Sequence, residues 1–326
     1  MYLDFYGLKE HPFKTTPDPK FLFRTPSHRE ALAQLSYGVN QRKGFIALTG
    51  EVGTGKTTLL HALMERLDQN TAVALIFKST LPFDAVVDYM LEDFRIATPA
   101  NTEAQRLVAL NNFLLERYSM GQNTVLILDE AQNLEPKTLE EIRLLSNFET
   151  PSEKLLQILL VGQPELRTKL NLPELRQLRQ RIALSCGLRP LTVSETRDCI
   201  RTRLRIAGAQ DLGVFADRAV MRIAQYTAGI PRLINILCDQ CLVIGFADQQ
   251  RRIGRHIVEQ AIESLEDGVL SRRRSWALGR RVRLTPVRWS LTVFVGLLLG
   301  AAVSLAARSD SAHLFELVRS ARALLW

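Results

Sequence analysis

The sequence predicts an α/β protein built on a parallel sheet, followed by a helical segment and one transmembrane helix near its C-terminus. Three observations predict it. Short apolar runs alternate with longer segments of helical period up to Pro190, only helical period is found from there to about Leu265, and residues 289–307 form a 19-residue stretch without a charge. Strands that alternate with helices argue for parallel βαβ units, whose strands are buried on both faces and read as continuous apolar runs.

The chain opens on an irregular strap in which Phe5, Tyr6, Phe13, Phe21 and Phe23 are interrupted by Pro12, Pro17 and Pro19, a pattern suited to packing over a core surface. The predicted strands are FIALTG (45–50), AVALIF (72–77), TVLILDE (124–130) and LLQILLVG (155–162). Between them, residues 57–67 and 101–118 have the apolar spacing of helices. After Pro190, LTVSETRDCIRTRLRIAGA begins the helical segment. The boundaries that follow are 1–190 for the α/β part with its strap, 191–267 for the helical part, 268–288 for a basic linker, 289–307 for the span and 308–326 for a short tail.

A net charge of +8 and a pI near 9.5 first suggest a nucleic-acid binder. The distribution argues against that partner: residues 1–268 hold 32 basic and 32 acidic side chains, and the excess comes entirely from 10 Arg against Asp310 and Glu316 in residues 269–326. As a helix, 19 residues cover about 28 Å, close to the ~30 Å of a bilayer's hydrocarbon core. Seven of those Arg fall in the 20 residues before the span, with no acid among them. The positive-inside rule then keeps the body in the cytoplasm and sends the tail to the periplasm, a single pass through the inner membrane. MYLDFYGLKEHPF lacks a basic stretch followed by an apolar one, so no cleavable signal peptide is expected. Gly296 and Gly300 form a GxxxG of the kind that lets helices approach closely, and Leu314, Leu317, Ala321 and Leu325 share one face of the tail. Cys186, Cys199, Cys238 and Cys241 all precede the span, as suits a reducing compartment. Cys238 and Cys241 make a CxxC without a second ligand pair, which reads as packing rather than metal binding.

The chemistry concentrates after the first predicted strand. Gly50, Glu51, Val52, Gly53, Thr54, Gly55, Lys56 and Thr57 match GxxxxGK[ST], with Thr58 next, between a strand and a helix as the mechanism requires. The glycines let backbone N–H groups wrap a phosphate, Lys56 reaches the β- and γ-phosphates, and Thr57 is placed to hold Mg²⁺. Asp129 and Glu130 stand at the carboxyl end of an apolar strand, where open α/β sheets bind ligands. Asp129 is the second expected Mg²⁺ holder and Glu130 the group that polarises an attacking water. Two adjacent acids after the strand and the lack of an NKxD string indicate ATP as the nucleotide.

The wider set of strings resembles the AAA+ ATPases, and among them the general secretion pathway protein A (ExeA-type) branch. FYGLKEHPF, TPDPKFLF, SHREALAQLSYGV, GFIALTGEVGTGKTTLL, LILDEAQNL, LLSNFET, LVGQPEL, LRQLRQRI and GIPRLIN carry the resemblance over roughly residues 2–267. It implies ATP bound between an α/β domain and a helical lid, in a homo-oligomer whose subunits complete one another's sites. It further implies that Gln163 is a polar sensor of the γ-phosphate or attacking water, that Arg232 is the sensor arginine of the lid, and that a strap ring lines the adenine pocket. Arg181 is implied as an arginine finger acting on a neighbouring subunit, with Arg176 and Arg179 as the alternatives. Longer members of the branch carry a periplasmic domain that binds peptidoglycan; only residues 308–326 follow the span here, so direct cell-wall binding is not expected. Three functions follow: a membrane-anchored ATPase serving an envelope machine for secretion, pili or polysaccharide export; a DNA-handling ATPase of the transposition type; and a scaffold that binds ATP with little turnover. The neutral body and the intact Lys56, Asp129 and Glu130 favour the first.

Overall fold

The computed structural model of the chain describes residues 2–16, 18–21, 23–77, 80–97 and 102–279. Strands β1 (Phe45–Gly50), β2 (Ala72–Ile76), β3 (Thr124–Leu128), β4 (Gln157–Gly162) and β5 (Ile182–Leu188) form one parallel sheet in the order β2-β3-β4-β1-β5. The first four are the predicted apolar runs. The fifth is an addition to the predicted set: among the described residues it is an edge strand paired to β1 alone, and its residues Ile182, Leu184, Cys186 and Leu188 alternate with others instead of running together.

Helices α1 (Tyr2–Tyr6) and α2 (Pro26–Asn40) precede the sheet, and α3 (Lys56–Met64), α4 (Phe83–Asp93), α5 (Glu103–Ser119), α6 (Pro136–Leu145), α7 (Pro164–Leu170) and α8 (Arg176–Arg181) are interspersed with its strands. Helices α9 (Val193–Ile206), α10 (Asp217–Thr227), α11 (Pro231–Ala247) and α12 (Arg255–Gly279) follow. Local chemistry starts several of them. Thr25 caps α2 by accepting from His28 N, with Pro26 in the first turn. Thr102 caps α5, and Thr192 with Glu195 forms a capping box on α9.

Alternation along the strands fills both faces of the sheet. Ile46 and Leu48 of β1 join Val125, Ile127, Leu159 and Val161 under α2 and α3, where Leu35, Val39, Leu59 and Leu63 are fully buried. Phe45, Leu126, Leu128, Ile158 and Leu160 face the other way, against α4, α5, α6 and α7. Each fully buried Leu or Ile contributes about 1.5–3 kcal/mol, so this double-sided core holds the strand ends in register.

The strap packs mainly on the helices that follow the sheet. Tyr2 Oη donates to Asp239 (2.6 Å), Tyr6 Oη to Gln250 O (2.9 Å) and Lys9 N to Ala207 O (2.7 Å). Arg203 donates to Pro12 O (3.0 Å), and Phe5 and Phe13 meet Phe246 and Phe215 edge-on. Residues Met1–Ser264 form one compact unit, from which α12 continues to Gly279, inside the stretch read as a linker. Among the described residues no helix is long and apolar enough to cross a membrane. The predicted span 289–307, its Gly296 and Gly300, and the tail 308–326 lie outside the described residues.

Candidate functional site

Three neighbouring strands, β3, β4 and β1, end at one edge of the sheet, and each delivers predicted site residues there. After β1 the chain turns through Glu51, Val52, Gly53 and Thr54 into α3. Gly53 (φ +81°) and Gly55 (φ +96°) adopt the left-handed backbone that costs other residues about 1–2 kcal/mol. Gly55 is the N-cap of α3 and no side chain caps that helix, so its first N–H groups face the loop without a side-chain acceptor. Thr54 braces the turn by donating from Oγ1 to Glu51 O (2.8 Å). A Cβ at Gly50 would lie 2.8 Å from that hydroxyl oxygen, and one at Gly53 would lie 2.7 Å from Arg232 Cβ. Backbone donors, an open helix start and glycines at the tight points form a cradle suited to phosphate.

Lys56 is buried, with Nζ donating to Gly50 O (2.8 Å) and Glu51 O (3.2 Å). Burial pulls its pKa below the ordinary lysine value, against the opposing pull of Glu130, Asp129, Glu51 and Glu165. Thr57 Oγ1 donates to Asp129 Oδ2 (3.3 Å), which brings the two predicted Mg²⁺ holders together. Asp129 is buried too, and burial raises its pKa although it accepts from Glu130 N. A hydroxyl and a carboxylate oxygen side by side fit a hard cation.

Glu130 leaves β3 with φ +53°, a left-handed conformation uncommon outside glycine. Its Oε2 accepts from Gln132 Nε2 (2.6 Å) and from Gln163 Nε2 (3.0 Å) at the start of α7. Burial alone would raise its pKa, but these two donors and the Lys56 charge outweigh it and hold the group below the usual glutamate value.

A cavity of about 320 Å³ opens in front of these groups. The glycine-loop residues Val52 to Thr58 and Glu130 line it, together with Phe21, Phe23, Leu191, Cys199, Arg203, Arg232 and Asn235. Arg232 stands at the start of α11, with its backbone N donating to Gly53 O (3.2 Å). Of the five strap rings, Phe21 and Phe23 reach the cavity, and Phe21 lies beneath the Arg203 guanidinium at 5.5 Å. The four cysteines are buried free thiols; Cys199 lines this cavity, and burial pushes Cys186 up to about 11 and Cys241 up to about 12.

Arg181 is held elsewhere. It ends α8 and donates to Ser146 and to Asn147 Oδ1 (2.8 Å) beyond α6, while Arg176 and Arg179 are exposed. Ile182 pairs with Phe45, so Arg181 sits at the opposite end of β1 from the glycine loop, about 17 Å away along the strand.

Three further residues escape sequence reasoning. His28 is buried, with Nε2 3.0 Å from Thr54 O and Nδ1 2.7 Å from Thr25 Oγ1. A carbonyl only accepts, so Nε2 carries the hydrogen and Nδ1 accepts from the Thr25 hydroxyl. Burial lowers the His28 pKa. Asn235, one turn after Arg232 on the same helix, lines the cavity with a buried Oδ1 that has no hydrogen-bond partner among the described residues. Gln132 grips Glu130, and only its place two residues after the acidic pair in the sequence marks it.

Residues 39–170 match a family model described as an AAA domain. General secretion pathway protein A of Aeromonas hydrophila is 40% identical over 254 residues, which is 78% of this chain and 46% of that protein. The chain therefore spans less than half the length of this relative. The solved structure of CDC6P from Pyrobaculum aerophilum is similar with a TM-score of 0.58 at 21% identity, covering 76% of this chain and 70% of that one. The Aeropyrum pernix ORC1 protein in complex with DNA gives 0.56 at 19% identity, covering 94% and 84%. At such identities the likeness is one of fold. The AAA-domain match and the 40% identity over 78% of this chain, taken with the glycine cradle and the acidic pair, identify the chain as an AAA+ ATPase of the general secretion pathway protein A type.

Proposed function

We propose that the chain is a membrane-anchored ATPase that couples ATP binding and hydrolysis to assembly or remodelling of a cell-envelope machine for secretion, pili or polysaccharide export. The observation that carries the enzymatic part is the convergence of Lys56, Thr57, Asp129 and Glu130 on one cavity edge, with Glu130 held ionised by two amide donors. The name of the Aeromonas hydrophila relative supports the secretory setting.

The cavity takes ATP with its phosphates on the α3 N-terminus and the glycine loop. Lys56 leaves the carbonyls of Gly50 and Glu51 to bind the β- and γ-phosphate oxygens. Thr57 and Asp129 would hold Mg²⁺, which when bound would neutralise charge on the phosphate oxygens. Glu130 accepts a proton from water as its oxygen bonds to the γ-phosphorus; the bond from that phosphorus to the bridging oxygen breaks, releasing ADP and phosphate. Gln163 orients the same carboxylate. Arg232, at the start of α11 in the helical lid, lines the same cavity beside the glycine loop and binds phosphate there.

Arg181 completes this site on a second copy of the chain, since a full strand length separates it from its own glycine loop. The anchor is the apolar run 289–307, with its Arg-rich flank on the cytoplasmic side. A neutral body with its one basic run beside the bilayer supports the membrane setting over DNA handling.

The test is Glu130→Gln in the full-length chain. ATP binding is retained and turnover falls at least about tenfold; an unchanged rate removes Glu130 from the base role. Fractionation with and without residues 289–326 checks the anchor, and recovery of the full-length chain in the soluble fraction rejects it.

A further inference from the structure

Glu130 is held by more than the strand that delivers it. Gln132 and Gln163 donate to one and the same oxygen, Oε2, at 2.6 and 3.0 Å. The two glutamines are joined to each other: Gln163 N donates to Gln132 Oε1 (3.0 Å). A backbone N–H can only donate, so this bond fixes which end of the Gln132 amide faces Glu130. Lys169 of α7 donates from Nζ to Gln132 O (2.5 Å) and to Leu134 O (2.7 Å), tying the turn after Glu130 to the helix that Gln163 begins. Gly162, the last residue of β4, leaves the space: a Cβ there would stand 2.6 Å from Gln132 Oε1.

From this arrangement we propose that Gln132 is a positioning residue for ATP hydrolysis, fixing Glu130 through Oε2 and coupling it to Gln163. The assignment rests on the reading of Glu130 as the base given above. Two donors on Oε2 leave Oε1 the more basic oxygen, and Oε1 takes the proton from water. Because Gln163 shares the clamp, a shift of Gln163 at the end of β4 turns the Glu130 carboxylate as well, through Gln132 Oε1.

The experiment measures kcat and KM with ATP on the full-length chain, and nucleotide affinity separately with a fluorescent ATP analogue. Gln132→Ala lowers kcat on the order of tenfold, by loss of orientation, while KM and nucleotide affinity stay within about twofold. Gly162→Ala displaces Gln132 without touching Glu130 and reproduces the same split between kcat and KM. An unchanged kcat in Gln132→Ala, with Glu130→Gln inactive, overturns the role of Gln132 alone. A parallel fall in kcat and nucleotide affinity marks a merely structural residue and overturns it too. Wild-type hydrolysis by Glu130→Gln overturns the reading of Glu130 itself, and the clamp with it.

Discussion

Replacing Gly229 by alanine separates two costs that a glycine can hide. Gly229 has φ +74°, and its carbonyl accepts from Leu191 N (2.8 Å) where the sheet hands over to the later helices. A Cβ would stand 2.8 Å from Leu191 N and 2.9 Å from Leu191 C, both backbone atoms that no rotamer change can move away. The left-handed backbone costs alanine about 1–2 kcal/mol. Displacing packed atoms adds about 1–3 kcal/mol. Gly121 is the control: its φ is +73°, but nothing lies within 4 Å of its Cβ position, so Gly121→Ala carries the first cost alone. The variants should differ by about 2 kcal/mol, or about 4–8 °C in melting temperature for a unit of this size. The same displacement moves α11, and with it Arg232 and Asn235, away from the glycine loop, so Gly229→Ala also weakens ATP binding while Gly121→Ala does not. Thermal unfolding with and without ATP measures both effects. Equal melting temperatures for the two variants, or unweakened ATP binding by Gly229→Ala, would refute the reasoning.

Three predictions concern single side chains. The His28 pKa is lowered in the fold, so the unfolded chain binds the proton more readily and stability falls as pH drops through the ordinary histidine value near 6.5, by up to about 1.4 kcal/mol per unit until the folded group titrates. Melting curves from pH 7.5 to 5.5 should show a smaller loss for His28→Gln, and an equal loss would mean other groups carry it. Arg232→Ala removes a charge-assisted bond worth about 1.5–3 kcal/mol and should weaken ATP binding about 10- to 150-fold by titration, whereas a change below twofold would take Arg232 off the phosphates. Arg181→Ala should keep ATP binding but lose at least about tenfold in turnover together with the dependence of specific activity on protein concentration; retention of both would leave Arg176 and Arg179 as the finger candidates.

The glycine loop and acidic pair were legible because their chemistry depends on neighbours in sequence: Gly53, Gly55 and Lys56 act within one turn of chain, and Asp129 follows the strand that buries it. The four central strands were legible because burial on both faces makes them uniformly apolar. β5 was hidden by its edge position, where only alternate residues face the core, and by the Arg-rich stretch before it. His28 was hidden for another reason: it meets Thr54 O across 26 residues of sequence, and nothing near SHREA marks that contact. Gln132 stands in plain view after the acidic pair, but an amide has no chemistry of its own until the fold brings Gln163 beside it.

The strap's docking on the later helices changes the mechanics of the molecule. The bonds from Tyr2 to Asp239, from Tyr6 to Gln250 and from Arg203 to Pro12 tie the first residues of the chain to the segments that follow Leu191. Those segments are therefore held twice over, by the covalent step at Leu191 and by a clasp from the opposite end of the sequence, so a change in the first dozen residues is felt more than 180 residues away along the chain.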